Sequence, residues 1–417
     1  MKRAATVFFT VFAALQSLRN AIAQSACDAP DLPLAGTRVV DVATEPALQT
    51  AIHDLRAGDT ILIADGSYDL TSSLYVNGKD DVTIRGKSGC SRVVLVGKGM
   101  DTPRADVPFG IWSNSRNTTI AHLTIRDTWS NTILFNSGAQ SPHVYDVKLL
   151  NAGSQFIKSN PTDAARGIGV DNGLIEYSWF EYTDGPPGDH GGGAGYTNGI
   201  SAHATANWII RGNVFRNFHT PDSARYLWNP AVLIWNHSVN TVTERNTFVN
   251  VDRSVAYGLQ LKPPGNDHSG GTIRNNFVYL KPDMMSATRK ASSDGSIIIL
   301  DSPNTKVYHN TVLANSNILY SIEFRFSTTT NAEARNNLTD LPIHVRDGAR
   351  VTASGNLATA APEMFMDPAS GNLHLRETAT AAIDQAPFLS QVVEDFDGQS
   401  RPQGSAYDIG ADEFANH

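Results

Sequence analysis

Cysteine is almost missing from this chain, with two in 417 residues, Cys27 and Cys90. Two thiols without a nearby pair of histidines argue against a zinc site built on them. In an oxidising compartment the two are expected to form one disulfide that pins the N-terminal stretch to the first part of the fold. Long apolar runs are missing too. Beyond the first two dozen residues nothing reaches the length of a membrane span, so no membrane association is expected. The chain has no phosphate-cradling glycine loop, no nucleophile elbow and no His-Glu-x-x-His. The run Gly191-Gly-Gly-Ala-Gly195 lacks the strand-to-helix setting of a dinucleotide site. Positive charge is scarce, with 33 Lys and Arg against 41 Asp and Glu. An acidic protein is a poor general binder of nucleic acid. It can hold an acidic polymer only by gathering its few cations in one groove.

The N-terminus reads as an export signal over residues 1–23. Lys2 and Arg3 are followed by the short apolar run Ala4 to Leu15, and Ala21-Ile22-Ala23 fits the small-x-small cleavage rule. The mature protein is therefore expected to be secreted or periplasmic. Without Lys2, Arg3 and Arg19 the 33 basic residues fall to 30 against 41 acidic, a net of −11.

What the chain has in abundance is a six-residue pattern. It reads Ile210 to Phe215 with Asn213, Thr243 to Phe248 with Asn246, and Thr272 to Phe277 with Asn275. It returns at Val307 to Val312 with Asn310 and at Glu333 to Leu338 with Asn336. Copies without the Asn precede these at Ile120, Val144 and Ile175. Repeats of this spacing mark solenoids or propellers. Short apolar alternations broken by Asn, Gly, Asp and Ser point to strands. Uneven spacing fits a core of constant cross-section with variable excursions. The expected fold is all-β, a single-stranded right-handed parallel β-helix filling residues 24–417 as one domain, acting as a monomer. Asn213, Asn246, Asn275, Asn310 and Asn336 are expected to stack as an amide ladder, since Asn tolerates left-handed turns.

Residues 44–58 read as a capping helix, with Thr44 as N-cap, Pro46 in the first turn and an apolar face of Ala47, Leu48, Ala51, Ile52 and Leu55. Residues 364–417 read as a C-terminal cap.

Alternation along strands predicts an outer polar face. In Gly199 to His203, Ile200 and Ala202 point in while Ser201 and His203 point out. In Gly258 to Lys262, Leu259 and Leu261 point in while Gln260 and Lys262 point out. In Ser321 to Phe326, Ile322, Phe324 and Phe326 point in while Glu323 and Arg325 point out. With Trp235 or Asn236 and Asp301 between them, these form one outer ladder. Loops flank it, the most unusual being Asp184 to Asn198. There Asp184 and Asp189 are candidate cation ligands, and His190 and Tyr196 are candidate proton carriers. Six tryptophans, among them Trp112 and Trp235, offer rings that stack on sugars.

The opening "AGDTILIADGSYDL" after the helix resembles the start of secreted β-helix polysaccharide lyases. "DFDGQSRPQGSAYDIGADEF" is similar to a closing segment of bacterial extracellular β-helix proteins. With Lys262 in "GLQLKPPGN", the chain resembles the alginate lyase and chondroitinase B type. That resemblance implies β-elimination on an acidic, uronate-containing glycan, with Lys262 as base, His203 as proton donor or alternative base, and Ca²⁺ or an Arg neutralising the carboxylate. Arg325 is the expected clamp, with Arg274 the alternative, because Asp301 stands where the family's Arg would be. His190, Tyr196, Asn236, Arg274, Asp301, Glu323 and Trp235 are the expected substrate contacts. A glycoside hydrolase using Asp301 and Glu323 as paired carboxylates, a uronate C5-epimerase, and a non-catalytic glycan-binding β-helix are the alternatives.

Overall fold

A computed structural model describes residues 27, 29–34, 36, 38–103, 106–188 and 198–415. Its strands pair in parallel from coil to coil, as the repeat spacing requires, and form three long walls. The first wall runs from Arg38–Val42 and Asp59–Ile63 through Leu174–Glu176, Ile209–Arg211 and Val242–Glu244 to Val351–Ser354. The second includes Trp179–Glu181, Val214–Arg216, Thr247–Val249 and Phe277–Tyr279. The long strands Thr119–Thr128 and His143–Ala152 serve both walls. The third wall is a ten-stranded sheet from Leu74–Val76 to Ile343–Arg346. Parallel crossovers are right-handed almost without exception, and the whole is a right-handed parallel β-helix.

The inside is apolar and stacked. Phe180, Phe215 and Phe248 share one register column, with ring centroids 4.5 and 4.9 Å apart in near-parallel planes. Each coil turns between the first and second walls through one left-handed residue. Gly212, Arg245, Asn275, His309, Asn336 and Gly355 all have φ near +60°.

The amide ladder sits one residue after these turns. It consists of Asn213, Asn246, Asn276, Asn310, Asn337 and Asn356. From Asn246 on, each amide oxygen accepts from the backbone N–H and side-chain amide of the rung before it. Each Nδ2 also donates to a first-wall carbonyl. Asn275 and Asn336, expected as rungs, are instead the left-handed residues. They point outward and donate to Glu394 O and Pro387 O of the C-terminal segment. The expectation slipped by one residue in the two coils with Asn-Asn pairs. True register aligns Ile273 and Ala334, not Thr272 and Glu333, with Thr243 and Val307.

The helix spans Glu45–His53, with Thr44 Oγ1 accepting from Ala47 N–H. Leu48, Ile52 and Leu55 are buried while Ala47 is exposed. Its neighbours are Leu74–Val76, where the third wall begins, and Arg38–Val42. Cys27 and Cys90 are joined. Residues 364–415 run along the flank of the coils. Leu373, Leu389, Phe396 and Ile409 pack against Val249, Phe277, Tyr308 and Leu338 on the outside of the first two walls.

Asn276→Ala strands several buried partners at once, each worth about 1–3 kcal/mol. We expect about 3 kcal/mol of lost stability in denaturant unfolding. The exposed Asn331→Ala is expected to cost about 1 kcal/mol or less. Equal effects would show that the ladder is not what holds the corner.

Candidate functional site

The third wall carries the expected site. Ile200 and Ala202 are in the core, and Ser201 and His203 face out. Register sets two outward columns. One contains Lys158, Ser201, Leu233, Ala256, Ile298 and Glu323; the other contains His203, Trp235, Gly258, Leu300 and Arg325.

Lys262 reaches this face by a route that strand alternation did not foresee. The strand ends at Tyr257, and Gly258 turns with φ +76° where a Cβ would lie 1.8 Å from Leu300 O. Leu259 and Leu261, expected inside, are 36% and 51% exposed. Two buried carboxylates hold the resulting loop. Asp267 accepts from Leu259, Gln260 and Asn236 N–H, and Asp301 from Lys262 and Asp267 N–H and the Asn266 amide. The loop places Lys262 Nζ 5.9 Å from the Trp235 ring, which lies 4.7 Å from the His203 ring.

His203 is therefore boxed in. Nδ1 lies 2.8 Å from Asn236 Nδ2, and Nε2 lies 3.5 Å from Ser201 Oγ. Burial, with lesser contributions from the positive charges of Lys158 and Lys262, lowers its pKa to about 4. The ring is thus neutral near pH 7, a proton acceptor. The amide orientation sets its tautomer: Nδ2 toward Nδ1 puts the ring proton on Nε2. A half-turn of the amide would set Asn236 Oδ1, a buried oxygen without a partner, against an Nδ1 proton and free Nε2 to accept.

Sequence reasoning missed Lys158. It sits on Ile157–Ser159, paired with Ser201 one strand over and diagonal to His203. Burial lowers its pKa. Its signal was present, a lone charge between Ile157 and Ser159, but its coil lies outside the Asn-bearing repeats. His237 was also missed. Its Nδ1 bonds Asn266 O, and Gly167 and Gly265 lie beside it, where a Cβ would meet it at 3.4–3.5 Å, ordinary contact.

Other expected residues fall elsewhere. Arg325 shares the His203 column but four strands on, about 19 Å at the usual strand spacing, and its Nε is 2.5 Å from Asp347. Phe326, expected inside, has φ +75° and packs outside against the Leu233, Ala256, Ile298 and Leu300 patch. Arg274 is on the first wall, bonded to Glu244 and Gln391 O. Asp301 is a buried loop anchor. Glu323 is fully buried and paired with Arg346, and burial raises its pKa despite that partner. Asp301 and Glu323 thus make no open carboxylate pair. Asp189, His190 and Tyr196 lie outside the described residues, as does the segment 1–23.

Asp184 precedes the strand Ile200–His203, at the end of that coil remote from His203. It shares the Asn151 amide nitrogen with Asp127, at 3.0 and 3.1 Å. Asp184 is thus held by an amide donor, and Asp189, the other ligand expected here, lies outside the described residues. Among the described residues, His374, Asp397 and Asp412 are close enough to share a metal ion, but they lie in the C-terminal segment against Phe277 and Phe396 on the second-wall side.

No family model and no curated protein matches the sequence. Solved structures that share the architecture include two lyases. An alginate lyase from Paenibacillus sp. str. FPU-7 superposes with a TM-score of 0.51 at 16% identity, over 77% of this chain and 100% of that one. Pectate lyase Pel9A gives 0.53 at 12% identity, over 92% and 97%. The fold is thus the parallel β-helix on which these polysaccharide lyases are built. No helix among the described residues is long and apolar enough to cross a membrane.

A histidine titration by NMR tests the electrostatics. His203 is expected to titrate near 4 rather than 6.5, and Lys158→Gln should move it upward. Because the folded pKa is depressed, the histidine's contribution to stability is intact above about 6.5 and is lost as pH falls toward 4. A value near 6.5 would mean the site is open to water.

Proposed function

We propose that this protein cleaves an acidic, uronate-containing glycan by β-elimination on the outer face of the third wall. The observation that carries this is a neutral, half-buried His203 set between Lys158 and Lys262 on a protein that is acidic overall. Elimination needs a base beside the C5–H, positive charge on the neighbouring carboxylate, and a donor for the leaving oxygen.

In this reading Lys262 pairs with the uronate carboxylate, and the Trp235 ring beneath it fixes the sugar face. With the Asn236 amide turned so that Oδ1 accepts from Nδ1–H, His203 Nε2 accepts the C5 proton. The electron pair forms the C4–C5 double bond as the C4–O bond breaks, and the departing oxygen takes a proton from the Lys158 ammonium, whose lowered pKa makes it the readier donor. Water then restores both groups by exchanging one proton. His203 thus takes the alternative role of base, and Lys262, expected as base, takes the carboxylate role expected of Arg325. Arg325 is too far along the wall to touch the same carboxylate. The architecture shared with an alginate lyase and a pectate lyase supports the reading. The Cys27–Cys90 disulfide supports an extracellular or periplasmic setting.

A panel of acidic polysaccharides followed by ultraviolet absorbance of the unsaturated product tests it. His203→Gln and Lys262→Met should each lose about 10²–10⁴-fold in kcat/KM, while Arg325→Gln stays within a few-fold of wild type. New reducing ends without absorbance would move the site to hydrolysis. Retained binding without turnover would make it a binding module.

A further inference from the structure

The groove does not end at His203. The outward columns continue toward the N-terminal coils in strict register. Lys158 follows Leu134, Trp112 and Tyr75. Beside them, next after the paired residues of each strand, come Asn160, Asn136, Asn114 and Asn77. Their side chains are hydrogen bonded in pairs, Asn160 to Asn136 at 3.0 Å and Asn114 to Asn77 at 2.9 Å. Tyr75 is 41% exposed, and its ring lies 5.8 Å from that of Trp112. A hollow of about 300 Å³ opens at this end, lined by Gln49, His53, Ser72, Tyr75, Asn77 and Lys79.

Tyr75 is exposed and Trp112 half-buried, and the two rings lie against each other on the outer strand face. Flat apolar rings beside amide donors and acceptors suit a pyranose, which has an apolar face and a rim of hydroxyls. Lys79 at the edge adds the charge that suits a carboxylate. We propose that Tyr75 and Trp112, with Asn77 and Asn114, form a distal subsite that holds a remote stretch of the same acidic glycan, and that the enzyme favours long chains. This rests on the elimination site proposed at His203. Four strand steps separate Tyr75 from Ser201, about 19 Å, so only a ligand several sugars long occupies both places.

The test compares wild type with Tyr75→Ala and Trp112→Ala on polymer and on the shortest oligosaccharide that is cleaved. The expected result is about a tenfold fall in kcat/KM on polymer, carried by KM, with the short substrate and kcat unchanged. Trp112→Phe should recover most of it, and thermal unfolding checks that each variant folds. Equal losses on both substrates, or none on polymer, would overturn the subsite. If wild type turns over nothing, the elimination reading fails by itself. Retardation of the protein in gels containing acidic polysaccharide then decides the platform: retardation that weakens in Trp112→Ala supports it, and mobility unaffected by the glycan overturns it.

Discussion

Parallel pairing in register is the constraint on which everything else rests. Each strand hydrogen bonds to the one a coil away, so a residue's place in its strand fixes its column, and each step along a column advances by about 4.8 Å. Lys158, Ser201 and His203 meet because Ile157 pairs with Ile200, although more than 40 residues of chain lie between them. The same rule separates groups that look adjacent on paper. Arg325 and His203 share a column, yet four strand steps put them beyond reach of one carboxylate. The register itself depends on the corner between the first and second walls. There the left-handed residue frees the next position to turn its side chain inward, and Asn fills it because an amide both accepts from one coil and donates to another.

This explains which parts of the molecule were legible in the sequence. The solenoid, its strands and the outward face of Ser201 and His203 follow from hydrophobic alternation and a repeating Asn. Register to the residue does not, because an Asn-Asn pair satisfies the pattern in two ways. At Asn275–Asn276 and Asn336–Asn337 the outer residue takes the left-handed turn and the inner one the ladder. Lys262 was legible as a groove residue, but for the wrong reason. Gly258 ends the strand, and a loop tied to Asp267 and Asp301 delivers the amine to Trp235. No periodicity contains that information, since it depends on two carboxylates, one of them a coil away.

The loop anchors also show how an acidic chain keeps a local site positive. Asp267 and Asp301 spend their oxygens on backbone N–H groups of the loop, where the need is for acceptors. Burial raises the pKa of Asp267, further muting its charge toward the groove. Glu323 is matched by Arg346 and Arg325 by Asp347. Among the described residues, what remains at the His203 end of the wall is the pair of lysines around a neutral ring.

That arrangement also bears on the choice between elimination and hydrolysis. Retaining and inverting hydrolysis both need two carboxyl groups facing the sugar, one of them protonated. Among the described residues, Asp267, Asp301 and Glu323 are turned into the protein, holding backbone N–H groups or guanidinium. Elimination asks for the opposite set: a base without charge, and cations to hold the electrons that gather on the sugar carboxylate. Burial favours the neutral form of His203, and the two lysines beside it push the same way. An anionic sugar bound against Lys262 would relieve some of that pressure and raise the basicity of the ring as the substrate arrives. Burial, the larger cause of the low pKa, is untouched by that charge, so in the proposed reaction a bound carboxylate would offset only the lesser share that the two lysines contribute.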